Sequence, residues 1–205
     1  MIRRFFLVLL AYSVVSVNAA ETQPDDNAQD HAQAKVEALH QALLQAMQLS
    51  EQAAREALLT PVIQQTFDLK NIARISVGRT WRKLSQEDQA SFTDQLGVLV
   101  VATYADRFDS YNEQQFVTDE IKGVKTGHVV HTRIIRKNDE PVTLDYYLRG
   151  DGIFNVVADG VSDLSLRRAD YNSIIKQNGF AALQAHVALK VEQARGLVDA
   201  GDSEE

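Results

Sequence analysis

The chain has 205 residues, no cysteine and a formal net charge of −7. That acidic balance argues against nucleic acid as a partner and against standing residence on an anionic lipid surface. Without cysteine no disulfide can staple the fold, so stability must come from packing alone.

Residues 1–19 read as a signal peptide. Arg3 and Arg4 form a basic start, Phe5 to Val17 is an apolar run too short to span a bilayer, and Val17-Asn18-Ala19 ends with a small residue at the cut. Loss of the two arginines takes the formal net charge from −7 to −9. Residues 20–30 are polar, carry Pro24 and lack apolar spacing, which reads as a disordered leader; residues 200–205 read as a disordered acidic tail. Between them, residues 31–199 suit a single domain with a substantial core.

Val36, Leu39, Leu43 and Met47 recur at helical spacing and predict an amphipathic helix ending near Ser50. Thr60-Pro61 reads as a helix start, with Thr as the cap and Pro in the first turn, where its missing N–H costs nothing. Asp68 can cap a short helix through Ile72 and Ile75 that stops at Gly78. Ser85-Gln86-Glu87-Asp88 resembles a capping box. The stripe that follows it, Phe92, Leu96, Leu99, Val100, Tyr104, Phe108 and Tyr111, predicts a helix roughly 40 Å long at ~1.5 Å per residue.

The apolar period then changes from helical to alternating. Gln115 to Ile121, Val129 to Arg136, Val142 to Arg149 and Ile153 to Ala158 are strand candidates, separated by short turns that predict an antiparallel meander. Val130, Thr132 and Ile134, then Leu144, Tyr146 and Leu148, then Phe154, Val156 and Ala158 form one apolar face; Thr143, Asp145, Tyr147 and Arg149 form a wet one. After Ala158 the helical period returns, in Tyr171, Ile174 and Ile175, and beyond Gly179 in Phe180, Leu183, Val187, Val191 and Ala194. The expected class is α+β: a curved four-stranded antiparallel meander covered on one face by helices.

Candidate chemistry is sparse. Ser173-Ile174-Ile175-Lys176 and Lys125-Thr126-Gly127 echo penicillin-binding enzymes, but Ser162-Asp163 is followed by Leu164 and the order along the chain is reversed. His128 and His131 point to opposite faces of a strand, and no group of His and carboxylates has ligand spacing, so no metal or other cofactor is expected. Gly150 and Gly152 flank a hairpin turn and do not open a helix, which argues against a nucleotide loop. His131, Asp145 and Asp159 could meet in the cleft of an isomerase-like cone, or could belong to a solvated face and a turn. Arg79 and Arg82 bracket Trp81 and could receive a phosphate, or could be solvated over a buried Trp81; Arg167 and Arg168 could meet a partner or a headgroup, or simply open a helix on the surface.

The stretch from Gly152 to Phe180, GIFNVVADGVSDLSLRRADYNSIIKQNGF, carries the most information. A strand turns at Asp159-Gly160, runs through Val161-Ser162-Asp163-Leu164 and enters a helix with Arg167 and Arg168 near its start and Asn178-Gly179 at its end. This resembles the MlaC-like family, also called toluene-tolerance auxiliary proteins, in which an Asp/Glu-Gly-Val-Ser turn precedes a helix with Arg near its start and Gly near its end. Phe67 to Phe108, FDLKNIARISVGRTWRKLSQEDQASF through TYADRF, is a second similar block, so the likeness spans roughly residues 35 to 195. The resemblance implies a periplasmic phospholipid carrier, not an enzyme, that serves outer-membrane lipid asymmetry. An inner-membrane ABC transporter complex and an outer-membrane lipoprotein assembly would be its partners, with no nucleic acid and only transient membrane contact.

In such a family helices and sheet part to enclose acyl chains. The residues this implies for a lipid pocket are Ile75, Trp81, Phe92, Leu96, Leu99, Val100, Tyr104, Phe108, Val130, Ile134, Leu144, Tyr146, Leu148, Phe154, Val156 and Leu164, none of them catalytic. Apolar spacing by itself does not tell a filled core from a hollow one. Ile153 stands where the family usually has an aromatic residue early in the last strand, and Ala73 to Arg82 is similar to the hopanoid-associated branch, so a rigid polycyclic lipid is the alternative ligand. Two other readings stay open: an isomerase or hydratase on a similar cone, which requires a buried acid or His in the cleft, and a lipid-free adaptor, which requires a filled core and a large exposed apolar patch.

Overall fold

The computed structural model describes residues 26–198 apart from 138 and 151. The expected signal segment and acidic tail lie outside the described residues.

Helix α1 (Asp26–Ala46) begins inside the stretch expected to be a leader. It buries Val36, Leu39 and Leu43 at the anticipated spacing, together with His40. Helix α2 (Gln52–Thr66) corrects one expectation: Thr60-Pro61 does not start a helix but lies inside this one. Pro61 sits on the exposed side, where water can serve the carbonyl it leaves unpaired, and the Thr60 hydroxyl donates back to the Glu56 carbonyl at 2.7 Å. The true start, after Glu51, has no side-chain cap. Buried Arg55 ties this region together, its guanidinium donating to the carbonyls of Leu49, Ser50 and Ala105 at 2.7–2.8 Å.

Helix α3 (Leu69–Val77) is capped by the Asp68 carboxylate, which accepts from Asn71 N–H at 3.0 Å, and is closed by Gly78 at φ 65°. A 3-10 segment, Gly78–Lys83, buries Trp81 and leads to α4 (Gln86–Arg107). Ser85 caps α4, its hydroxyl oxygen accepting from Asp88 N–H at 3.0 Å. At ~1.5 Å per residue the helix is about 33 Å long, shorter than expected. It ends at Arg107, and the expected end of its stripe, Tyr111, stands outside it and exposed.

The sheet is an antiparallel meander in the order β1 (Gln115–Val124), β2 (Gly127–Ile135), β3 (Val142–Arg149), β4 (Gly152–Ala158), β5 (Val161–Ser162). It has five strands where four were expected. Asp159 (φ 47°) and Gly160 (φ 80°) make a two-residue turn with both dihedrals positive, and the chain folds straight back so that Val157 pairs with Ser162 and Ala158 with Val161. A bulge in β4 makes a second correction. Leu148 pairs with Ile153 and Tyr147 with Asn155, which leaves Phe154 as the extra residue. Ile153, not Phe154, is the fully buried side chain of that strand.

Ser162 caps α5 (Asp163–Asn178), Gly179 ends it at φ 84°, and α6 (Phe180–Ala194) follows at once. Helices α2, α3 and α6 pack around α4, and α3 meets α5. The link between α2 and α3 docks on the sheet, with Asp68 N–H donating to the Ile153 carbonyl at 2.9 Å. Gly152 permits that approach, because a Cβ there would lie 2.7 Å from the Asp68 nitrogen. The buried apolar residues form one cluster shared by the helices and one sheet face.

Candidate functional site

The C-terminal half of α4 does not close onto the sheet. Between them lies a cavity of about 620 Å³. From α4 it receives Val100, Thr103 and Tyr104, and from the residue that caps its C-terminus Phe108; from the sheet Ile134, Val142, Leu144, Tyr146, Phe154, Val156 and Ala158. Met47, Phe67 and Ile72 contribute from the helical side, and Leu164, Leu166 and Arg167 from α5. The exposed members of the lining, among them Arg107, Ser110, Asn112, Arg136, Val161, Asp163 and Leu166, form a mixed polar and apolar mouth.

Few polar groups reach the inside. Among the described residues the Tyr104 hydroxyl has no hydrogen-bond partner, and burial holds its phenol well above the ordinary range. Its ring sits 5.8 Å from Phe67 and 5.9 Å from Phe108. The Tyr146 hydroxyl instead meets His40 Nε2 at 3.1 Å, and the His40 ring stacks on Phe116 at 4.0 Å. With no charged partner at hand, burial takes the His40 imidazole from 6.5 down to about 4. Arg167 at the mouth is tied by its two terminal nitrogens, to Asp163 at 2.9 Å and to the Tyr171 hydroxyl at 3.3 Å. The site is a deep apolar space with a wet entrance, which is geometry for holding a greasy molecule by one end.

The family model described as MlaC protein matches residues 19–188. The chain belongs to the MlaC family. No curated protein matches it. Among solved structures, a phospholipid-binding protein from Ralstonia solanacearum, in complex with a phospholipid, is similar at 20% identity and a TM-score of 0.69, covering 82% of this chain and 98% of that one. At that identity the likeness shows a shared fold.

In this MlaC-family chain Val100, Tyr104, Phe108, Ile134, Leu144, Tyr146, Phe154, Val156 and Leu164 come together around the cavity. The other residues expected there lie elsewhere. Phe92, Leu96, Leu99, Val130 and Leu148 are buried in the filled core. Phe92 packs 6.0 Å from Tyr171 and 5.4 Å from Phe180. Ile75 and Trp81 line a separate surface groove. The sequence reading missed Met47, Phe67, Ile72, Val142, Val161 and Leu166. The signal for the last two was available: two large apolar side chains, Val161 and Leu166, sit in a polar stretch and stay exposed at the mouth.

The candidate acid–base set does not assemble in the cavity. His131 and Asp145 are cross-strand partners 2.8 Å apart on the opposite face of the sheet, and Asp159 accepts from the Thr143 N–H at 2.8 Å in the β4–β5 turn. Asp163, the carboxylate in the cavity lining, is exposed and paired with Arg167. Among the described residues no group of three His, Cys, Asp or Glu could hold a metal, and no helix is long and apolar enough to cross a membrane.

Proposed function

We propose that the protein is a periplasmic phospholipid carrier and not an enzyme. The observation that carries the reading is the apolar cavity of about 620 Å³ between α4 and the sheet, open at a mouth of mixed polar and apolar residues. Membership of the MlaC family and a similar fold in a protein solved with phospholipid both support it. Each buried methylene gains ~0.8 kcal/mol, so acyl chains alone supply ample affinity, and the headgroup stays at the mouth near Arg107, Arg136 and Arg167. The free Tyr104 hydroxyl inside the cavity suits an ester carbonyl of the glycerol backbone. Transfer needs no bond chemistry, only separation of helix from sheet so that tails slide from one apolar pocket to another. The carrier would receive or deliver lipid as the soluble component of an ABC transport system, with an inner-membrane transporter complex and an outer-membrane lipoprotein assembly as its two docking partners.

The direct test is mass spectrometry on an organic extract of the protein purified from periplasm without detergent. Stoichiometric phospholipid is the expected result. A polycyclic lipid mass would reassign the ligand; protein that comes out empty and takes nothing from vesicles would overturn the carrier reading.

A further inference from the structure

A second concave site lies where α3 and the 3-10 segment meet α5. It is a groove of about 460 Å³ lined by Arg74, Arg79, Arg82 and Arg168 together with Ile75 and Trp81, and it shares no residue with the apolar cavity. No carboxylate lines it. Among the described residues, none of the four arginines forms an ion pair, and only the Arg74 fork has a side-chain partner, the neutral Asn71 oxygen at 2.6 and 3.2 Å.

The gathering is built locally. Arg74 stands in the last turn of α3, and Gly78 reverses the chain at φ 65°. In the 3-10 segment residues three apart stack on one edge, so Arg79 and Arg82 share a side while Trp81 turns into the core. Asn172 of α5 donates to the Ser76 carbonyl at 3.0 Å and to the Arg168 carbonyl at 2.6 Å, which locks Arg168 against the end of α3. Gly78 leaves room for this contact: a Cβ there would lie 3.2 Å from the Asn172 oxygen.

Four unneutralised guanidinium groups in one hollow repel each other, on a chain whose net charge is −7. Nothing in the packing needs them, since Arg74, Arg79, Arg82 and Arg168 are all exposed. Planar forks pair two by two with oxyanions, and a phosphate group offers more acceptor oxygens to several forks than a lone carboxylate does. We propose that this groove binds a phosphate-ester anion, independently of the acyl cavity. The anion could be a soluble phosphate ester or the headgroup of a membrane lipid. Arg167 lines the cavity and its neighbour Arg168 lines the groove, so a headgroup held here would bring the cavity mouth next to a bilayer surface.

The test compares the full chain with an R79Q/R82Q variant and with R168Q, exposed positions whose replacement leaves the core intact. Calorimetric titration with glycerol phosphate at fixed ionic strength should give saturable binding that weakens at least about tenfold in R79Q/R82Q and less in R168Q. Lipid recovered by extraction from the same variants should be unchanged. Flotation with phosphatidylcholine vesicles, with and without phosphatidylglycerol, identifies the source: arginine-dependent flotation on the anionic vesicles assigns it to headgroups, and titration without flotation assigns it to a soluble ester. An equal response to acetate, wild-type binding in R79Q/R82Q, or tighter capture of a hexaglutamate peptide would overturn the proposal, the last in favour of an acidic protein segment. Failure to extract lipid from the wild type sinks the carrier reading alone and leaves this one standing.

Discussion

The two ends of α4 carry the same kind of apolar stripe and meet different fates. Toward the N-terminus, Phe92, Leu96 and Leu99 are buried in the filled core among the helices, where the rings of Tyr171 from α5 and Phe180 from α6 reach Phe92 at 6.0 and 5.4 Å. Toward the C-terminus, Val100, Tyr104 and Phe108 look across an open space at Leu144, Tyr146 and Val156. Helix on helix lets side chains interdigitate, whereas the sheet leaves a gap that its own side chains do not fill. A cavity here is made by what the opposing element fails to reach, not by any special residue on the helix.

Replacing one residue at each end puts this contrast at risk. Phe92→Ala should cost about 3–5 kcal/mol, because a fully buried ring leaves a void that close packing cannot heal. Tyr104→Ala should cost less than half as much, since part of that ring already faces empty space and has few contacts to lose there. Urea denaturation of delipidated protein reads both. Equal losses would mean that the cavity end is packed as tightly as the other and that the contrast is false.

The next effect in size belongs to the wall behind the cavity. His40 backs Tyr146, and its pKa falls from 6.5 in the unfolded chain to about 4 in the fold because burial disfavours the charged ring. Between those values the unfolded chain binds the proton and the fold does not. Stability is therefore complete above about pH 6.5 and declines as pH drops toward 4, by about 3 kcal/mol at most. His40→Gln should flatten that part of the stability–pH curve. A wild-type curve with the same slope as the variant would show that His40 is not the group being titrated.

Legibility from sequence tracks how local each signal is. Caps announce themselves: Asp68, Ser85 and the Gly179 stop are where their side chains or dihedrals require. The Thr60-Pro61 reading failed because the same dipeptide suits a first turn and the solvent side of a helix interior, while the real start after Glu51 has no cap to read. The Asp159-Gly160 turn was plain, yet its two-residue return strand is too short to show a period. The bulge at Phe154 shifts which side of β4 is buried, and nothing in strict alternation predicts a bulge. At the site, α4 is buried on most sides, as the consecutive residues Leu99 to Ala102 show, so one stripe could not say which part faces helices and which faces the cavity. Phe67 sits in the short link between α2 and α3, where no period marks it, but that link is pinned to Ile153 and ends up in the lining; Ile72 reaches the lining from the short helix α3, whose apolar spacing does not say which neighbour it faces.

The smallest expected change in stability carries the sharpest consequence for function. Val156→Phe adds a ring on the sheet side of the cavity, where Val156 is only half-buried and there is space to receive it. In a filled core such a change strains its neighbours by about 1–3 kcal/mol; here the apo protein should move by less than ~1 kcal/mol. The ring occupies volume that acyl chain would otherwise take, and every methylene excluded removes ~0.8 kcal/mol, about fourfold in affinity. Retained lipid, measured after competition with excess vesicles, should therefore fall more than about tenfold while the denaturation midpoint barely shifts. The matching change at the filled end, Leu96→Phe, should do the reverse, destabilising the fold and leaving the lipid-to-folded-protein ratio as it was. Loss of lipid in both variants, or in neither, would erase the distinction between the two ends of α4 and with it the assignment of the cavity as the acyl site.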